Sequence, residues 1–272
     1  MADAAVAGLF VYPIKGCRGL SLRSSEIGER GLGHDREWMV VDGDGRFFSQ
    51  RSLPRLALVA TALLPEALEL QAPGMKTLVV PFGREEASID VSVWRDALPA
   101  LDQGPEAADW FSEFLQTGAR LVRFDRRVKR YCNREFAGDS GAHTAFADAY
   151  PVLLLSEATL ADLNSRLEQS LPINRFRPNI LLSGVEAFDE DHLVEVRIGD
   201  VVLQPVKPCT RCEVTTIDQS TAEKGVEPLP TLSSYRMNER LGGVTFGMNA
   251  IVVSGVGARI DVGSTARCAF DF

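Results

Sequence analysis

The stretch Glu37-Trp38-Met39-Val40-Val41-Asp42-Gly43-Asp44-Gly45-Arg46-Phe47-Phe48 decides the fold class. An Asp-Gly turn between two apolar runs is a strong hairpin signal, because Gly tolerates the backbone angles that a tight turn imposes. Asp42 to Gly45 lacks the further ligands and closing Glu of a calcium loop, so it reads as the turn itself. Upstream, Ala7 to Tyr12 is apolar and stops at Pro13. Downstream, Ala57 to Leu64, Ala67 to Gln71, Thr77 to Val80 and Ser88 to Val93 repeat the pattern of short strands with Gly and Pro between them. Such strands predict a small barrel or sandwich. Glu106 to Leu115 is the exception, with Trp110, Phe111, Phe114 and Leu115 on one helical face.

Arg126 to Tyr150 is polar and rich in small residues, which predicts a long functional loop or connection and places a boundary near its start. Beyond it, Tyr150 to Leu155 reads as a strand, and Ser156 as the N-cap of a helix carrying Leu160, Leu163 and Leu167. Strands are expected at Asn179 to Leu182, Leu193 to Ile198, Val201 to Pro205, Glu213 to Ile217, Asn249 to Val253 and near the C-terminus. There is no βαβα alternation and no Gly-rich dinucleotide fingerprint after a strand, which argues against a doubly wound sheet and a Rossmann site. The expected class is mainly β (α+β) with a few helices, divided into residues 1–125 and 126–272.

The 272 residues carry a net charge of −8, which disfavours a nucleic-acid surface. No apolar run approaches the ~18 residues of a membrane span, so no membrane association is expected. Five cysteines, an odd number, argue against a secreted disulfide framework and for a reducing cytoplasm. The N-terminus has no signal-peptide pattern. Arg120, Arg123, Arg126, Arg127, Lys129, Arg130 and Arg134 concentrate positive charge locally. They read either as a solvated basic segment or as a docking zone for an anion or acidic partner.

The chemistry concentrates in Lys207-Pro208-Cys209-Thr210-Arg211-Cys212. Neighbouring Lys207 and Arg211 would lower a thiol pKa and favour a soft thiolate ligand. A zinc site would need two more ligands, yet Cys17, Cys132, Cys268, His34, His143 and His192 are scattered. A thioredoxin-like pair needs a strand-to-helix setting. Buried apolar filler remains the plain alternative. Other donors recur at strand ends: Lys15, Gly16 and Cys17 after the Ala7–Tyr12 run, Arg36 in Gly33-His34-Asp35-Arg36, and Ser49-Gln50-Arg51. Ser156, Arg177 and Asn179 around Pro178, and Tyr235-Arg236 complete the set. Gly16 and Gly19 would allow close backbone approach to a ligand. Several such donors converging would bind an anion.

These motifs together resemble MOSC-domain proteins with an N-terminal MOSC β-barrel domain. Within that family they are most similar to the mitochondrial amidoxime-reducing component and bacterial reductases of N-hydroxylated bases. The resemblance rests on Tyr12-Pro13-Ile14-Lys15-Gly16-Cys17, Gly33-His34-Asp35-Arg36, Leu155-Ser156-Glu157-Ala158, Arg175-Phe176-Arg177-Pro178-Asn179 and Cys209-Thr210-Arg211-Cys212. It implies an N-terminal barrel domain over 1–125, a MOSC domain over 126–272, and a molybdenum cofactor (molybdopterin) between them. Cys209 matches the metal's thiolate ligand, and Lys15, Arg36, Ser156, Arg177 and Asn179 match cofactor contacts. Gly16 stands where the family often has a serine, leaving its backbone N–H as the donor. The implied activity is reduction of N–O bonds in small N-hydroxylated substrates. No iron–sulfur cysteine set is present, so a separate electron-donor reductase is implied. The alternative is a cofactor-binding or sulfur-carrier protein holding a cysteine persulfide. With no mitochondrial-type leader or anchor in view, a soluble cytoplasmic protein is the expectation.

Overall fold

The computed structural model describes residues 2–83 and 87–271; Met1 and Phe272, the outer ends of the two expected segments, lie outside the described residues. Seven strands close into a barrel. Labelled in chain order, they are β1 (Ala2–Val11), β2 (Val152–Ser156), β3 (Ile180–Ser183), β4 (Leu193–Ile198), β5 (Val201–Thr210), β6 (Gly243–Ser254) and β7 (Thr265–Phe270). The ring runs β2-β3-β1-β7-β4-β5-β6 and returns to β2. Only the β2–β3 pair is parallel. The described residues hold four α-helices: α1 (Pro105–Leu115), α2 (Arg134–Ala137), α3 (Glu157–Ser165) and α4 (Leu229–Ser233). Helix α3 lies on the crossover that a parallel pair requires.

Alternation fills the barrel. Val152 and Leu154 of β2, Val196 and Ile198 of β4, and Val201 and Leu203 of β5 are buried in one cluster. Strand β1 adds Val6, Leu9 and Val11 to it. The odd spacing from Val6 to Leu9 is reconciled by a register shift against β3 between Val6 and Gly8, where one extra residue resets the inward face. Strand β5 extends five residues beyond the expected Val201–Pro205 and passes through Pro205 and Pro208. Register shifts stand at both places, where a proline's missing donor disrupts the ladder least.

Outside the barrel, strands Trp38–Val41, Arg120–Phe124, Asp96–Asp102 and Ser88–Val93 form one sheet, and Ala60–Leu64, Ala67–Gln71 and Leu78–Pro81 another. The expected turn after Val41 is present: Asp42 N–H donates to Arg46 O at 2.9 Å, and Phe48 N–H to Val40 O at 2.9 Å. Helix α1 buries Trp110, Phe111, Phe114 and Leu115 against Trp38, Leu56 and Leu68. The sheets do not part at residue 125, because β1 lies in the barrel formed otherwise by residues 152–270.

One expected strand is absent. Glu213–Thr216 is a single 3₁₀ turn, not part of a Glu213–Ile217 strand. Its threonines satisfy the turn locally: Thr215 Oγ1 donates to Cys212 O at 2.9 Å and Thr216 Oγ1 to Glu213 O at 2.8 Å. That local bonding outweighs the β preference of a branched side chain.

Glu37 fastens the end of the first β-rich segment to the Arg120–Phe124 strand. Its Oε1 accepts from Arg123 Nε at 2.9 Å and Arg126 Nη2 at 2.8 Å, and Oε2 lies 2.7 Å from His34 Nδ1. Burial alone would raise its pKa, but the His34 hydrogen bond and the two guanidiniums outweigh it and bring the carboxyl to about 2. A depressed folded pKa stabilises the protein above the unfolded value and loses that contribution as pH falls. The expected contribution is of the order of 3 kcal/mol at neutral pH. Wild-type stability in urea should therefore drop between pH 4.5 and about 2, while Glu37→Gln starts lower at pH 7 and changes less over that window. Parallel curves for the two proteins would remove Glu37 from the acid response.

Candidate active site

The segment after β1, Pro13 to Gly19, turns away from the barrel and carries Lys15 to a cleft. Opposite, the end of β5 presents Cys209, and the loop entering β3 presents Arg175 and Arg177. The cleft, about 160 Å³, is lined by residues of both parts of the chain. Among its described lining residues are six cations, Lys15, Arg36, Arg51, Arg175, Arg177 and Arg211, against one carboxylate, Asp148. On a chain of net charge −8, that local excess marks a place for an anion.

Tyr12 organises two of the cations. Its ring is buried, with the Arg36 and Arg177 guanidiniums each 4.1 Å from its centroid. Its Oη donates to Pro178 O at 3.0 Å, and its backbone N–H to Asp35 Oδ1 at 2.8 Å. Burial pushes the phenol up to about 12, so it stays neutral between the cations. Gly19 makes this possible: a Cβ there would lie 2.3 Å from Tyr12 Cε1. The freedom of Gly19 thus serves packing against Tyr12, not the approach to a ligand that its sequence position suggests.

Arg36 is both ion-paired and cleft-lining. Nη1 bonds both Asp35 oxygens, at 2.9 and 2.7 Å, and Nη2 donates to Arg177 O at 3.2 Å. Among the described residues, no carboxylate hydrogen-bonds to Arg177; Nη1 donates to Cys17 O at 2.7 Å. Burial, then the proximity of Arg36, lowers its pKa to about 10. Both arginines adopt left-handed backbone angles, φ 47° and 55°. Such angles cost a non-glycine residue roughly 1–3 kcal/mol and concentrate at functional sites.

Lys15 donates to Phe146 O at 2.9 Å and to the Asp148 carboxylate. Arg130 shapes the loop that carries Asp148, donating to Ala145 O at 3.1 Å, Ala147 O at 2.6 Å and Asp148 O at 3.0 Å. Arg211 spends its donors on carbonyls, Phe176 O at 2.9 Å and Phe246 O at 2.8 Å, and so brings a charge without a carboxylate partner among the described residues. Gly247 makes room beside it: with φ 77°, a Cβ would meet Leu154 O at 2.7 Å.

Cys209 is half-buried beside Asn249 at the end of β5, and Cys212 is exposed. Burial is the largest influence on the Cys209 thiol and raises its pKa, with Arg211 opposing. The expected cationic lowering is therefore overturned. Lys207 does not contribute it; its Nζ lies over the Phe136 ring at 4.6 Å. A soft metal would displace the thiol proton on binding.

The structure brings together Lys15, Gly16, Arg36, Arg177, Asn179 and Cys209 from the expected set. Asn179 positions its neighbours: Oδ1 accepts from Leu153 N at 3.1 Å and Arg36 Nη1 at 3.3 Å, while Nδ2 donates to Phe10 O at 3.2 Å. Gly16 has φ 83°, and its carbonyl accepts from Gln50 Nε2 at 2.7 Å. Cys17 faces the core, fully buried, with a thiol pushed up to about 12 by burial. Ser156 is also fully buried, capping α3 through Thr159 N at 3.0 Å and outside the cleft lining. Tyr235 and Arg236 stand elsewhere, packed on Phe188, with Arg236 paired to Asp191. The Arg120–Arg134 zone is largely neutralised by Asp102, Glu37, Asp125, Asp96 and Asp139. A docking surface based on its bare charge loses its foundation.

Residues 3–118 match the MOSC N-terminal beta barrel domain, and residues 141–266 match the MOSC domain. The chain belongs to the MOSC-domain family. Bos taurus mitochondrial amidoxime reducing component 2 is 42% identical over 85% of this chain and 72% of its own length. The Rattus norvegicus component 2 is 40% identical with the same coverage, and Homo sapiens mitochondrial amidoxime-reducing component 1 is 36% identical over 85% and 72%. The mainly β class, with two MOSC-type domains, agrees with the expectation.

Ser156 separates fold from site in this MOSC chain. Ser156→Ala should cost about 1 kcal/mol in urea unfolding, the usual loss for an N-cap hydroxyl. The alkylation rate of Cys209 in the folded variant should match wild type. A changed rate would connect Ser156 to the cleft.

Proposed function

We propose that this chain is a molybdenum-cofactor-dependent reductase of small N-hydroxylated compounds, working in the cytoplasm with electrons from a separate reductase. The observation that carries the proposal is a half-buried cysteine, Cys209, in a cleft lined by six cations and one carboxylate, with the exposed Cys212 beside it. Membership of the family that includes amidoxime reducing components supports the N–O substrate class. Among the described residues, no helix is long and apolar enough to cross a membrane.

The residues fit the cofactor chemically. Arg175 Nε and Tyr150 Oη are buried polar atoms without a hydrogen-bond partner among the described residues, and both residues line the cleft. Buried groups in that condition normally face a ligand, an ion or water. Arg175 is held by Asp218 at 2.9 Å, leaving its Nε for an acceptor. Arg36, Arg175 and Arg177 would hold the pterin's phosphate, and Cys209 would be the thiolate ligand. When bound, the cofactor supplies the two-electron chemistry that breaks the N–O bond. The balance is one N–OH group, two electrons and two protons giving N–H and water. Asp148, anchored by Lys15, keeps its charge: partial desolvation at the cleft raises its pKa, but the adjacent Lys15 ammonium outweighs it, and 73% of the side chain stays exposed.

Cys209→Ala should lose molybdenum and reduce steady-state N-reduction more than about a hundredfold, beyond the usual 10–100-fold loss from residues behind a metal ligand. Cys212→Ala should retain much of both. Equal losses would mean that the ligand is wrongly assigned. Stoichiometric persulfide on Cys209 without molybdenum would instead make the chain a sulfur carrier.

The homogeneous protein should not turn over with NADH or NADPH alone, and should turn over with reduced viologen or an added reductase. Robust turnover with NADH alone would remove the partner from the proposal.

A further inference from the structure

Strands Ser88–Val93 and Asp96–Asp102 form a hairpin in which Asp96 pairs with Val93. Trp94 and Arg95 are therefore the whole loop. The first loop residue has φ 57°, a left-handed angle where glycine or asparagine normally stands. A bulky aromatic there is a genuine outlier. The substitution serves no core: Trp94 remains 47% exposed, whereas Trp38 and Trp110 are buried.

The ring is nonetheless fixed. Its Nε1–H donates to Asp148 Oδ1 at 3.1 Å. The Phe47 ring meets it edge-on with centroids 5.1 Å apart. The Arg51 guanidinium lies 4.6 Å from its centroid, and Lys15 Nζ 5.8 Å away. Trp94 lines the cleft that Cys209 enters from the barrel. An aromatic ring that is locked, strained and still accessible is poised to be a recognition surface. Arg51 lies over the ring, yet 47% of the residue stays exposed, so association of a flat partner with the exposed part incurs little further ordering of the ring.

We propose that Trp94 is a specificity-determining residue, a stacking platform for N-hydroxylated compounds whose reacting group is conjugated to a planar aromatic or heteroaromatic ring. This rests on the reductase reading and narrows its substrate class. Aliphatic N-hydroxylated compounds present the same N–O bond without the π face, and gain nothing from the platform.

Benzamidoxime and acetamidoxime form the test pair, because they share the amidoxime group and differ in phenyl against methyl. With loaded enzyme and reduced viologen, Trp94→Ala should reduce kcat/KM for benzamidoxime about tenfold, mostly through KM. Acetamidoxime should change less than about twofold. Trp94→Phe should recover most of the benzamidoxime activity. Trp94→Gly should show the same selectivity loss while unfolding at no lower temperature than Trp94→Ala, because glycine accepts the left-handed angle. Equal losses for both compounds, or no loss for benzamidoxime, would overturn the platform.

A second readout needs no turnover. Trp94 is the exposed member of three tryptophans, so benzamidoxime should quench the fluorescence of the cofactor-free protein more than acetamidoxime does. That difference should vanish in Trp94→Phe. If quenching selectivity is present but no variant or wild type reduces either compound, the platform stands and the reductase reading falls. If turnover occurs without selective quenching or selective loss in Trp94→Ala, the reductase reading stands and the platform falls.

Discussion

Closure of the barrel by β1 is the constraint on which the molecule depends. Strand β1 inserts between β3 and β7, pairing Leu9 with Ile180 on one side and Ala2 with Cys268 on the other. The backbone groups on facing edges of β3 and β7 have partners because this strand is there. The same strand then runs directly into Tyr12, Lys15 and Gly16, so the element that closes the barrel also sets the wall of the cleft. Fold and site share one piece of backbone. The cations are held by a rigid edge, with Tyr12 buried between two of them, and not by long side chains reaching across solvent.

That arrangement explains the electrostatics. Outside the cleft, Arg120, Arg127 and Arg130 each meet an aspartate. In the cleft, Arg177 and Arg211 are held by carbonyl oxygens, which orient a guanidinium without cancelling its charge. The difference between these two kinds of partner, more than the number of basic residues, determines where an anion would settle.

The sequence carried the local part of this picture. The Asp-Gly turn, α1 with its aromatic face, the Ser156 cap and the Val201 strand are governed by neighbours in the chain, and they are legible from it. Cys209 and Arg177 stood out through their motifs, and both line the cleft. Non-local features were not. Nothing in Ala2–Val11 shows that its partners lie more than 170 residues away at Ile180–Ser183. The basic run from Arg120 to Arg134 conceals its aspartates, some of which are distant in sequence. The strand expected at Glu213–Ile217 failed because threonine hydroxyls bonded carbonyls three residues back. Trp94 gave no signal, since its meaning lies in a backbone angle that sequence patterns do not reveal.

The position of β1 also governs the order of events during synthesis. Residues 2–11 leave the ribosome long before Ile180–Ser183, and longer still before Thr265–Phe270. Until both arrive, an apolar strand with two open edges must wait, and such edges invite pairing with other chains. The barrel therefore cannot mature vectorially from its beginning. Its closing step is a long-range encounter, of the kind that makes folding slow and favours chaperone protection of the nascent chain.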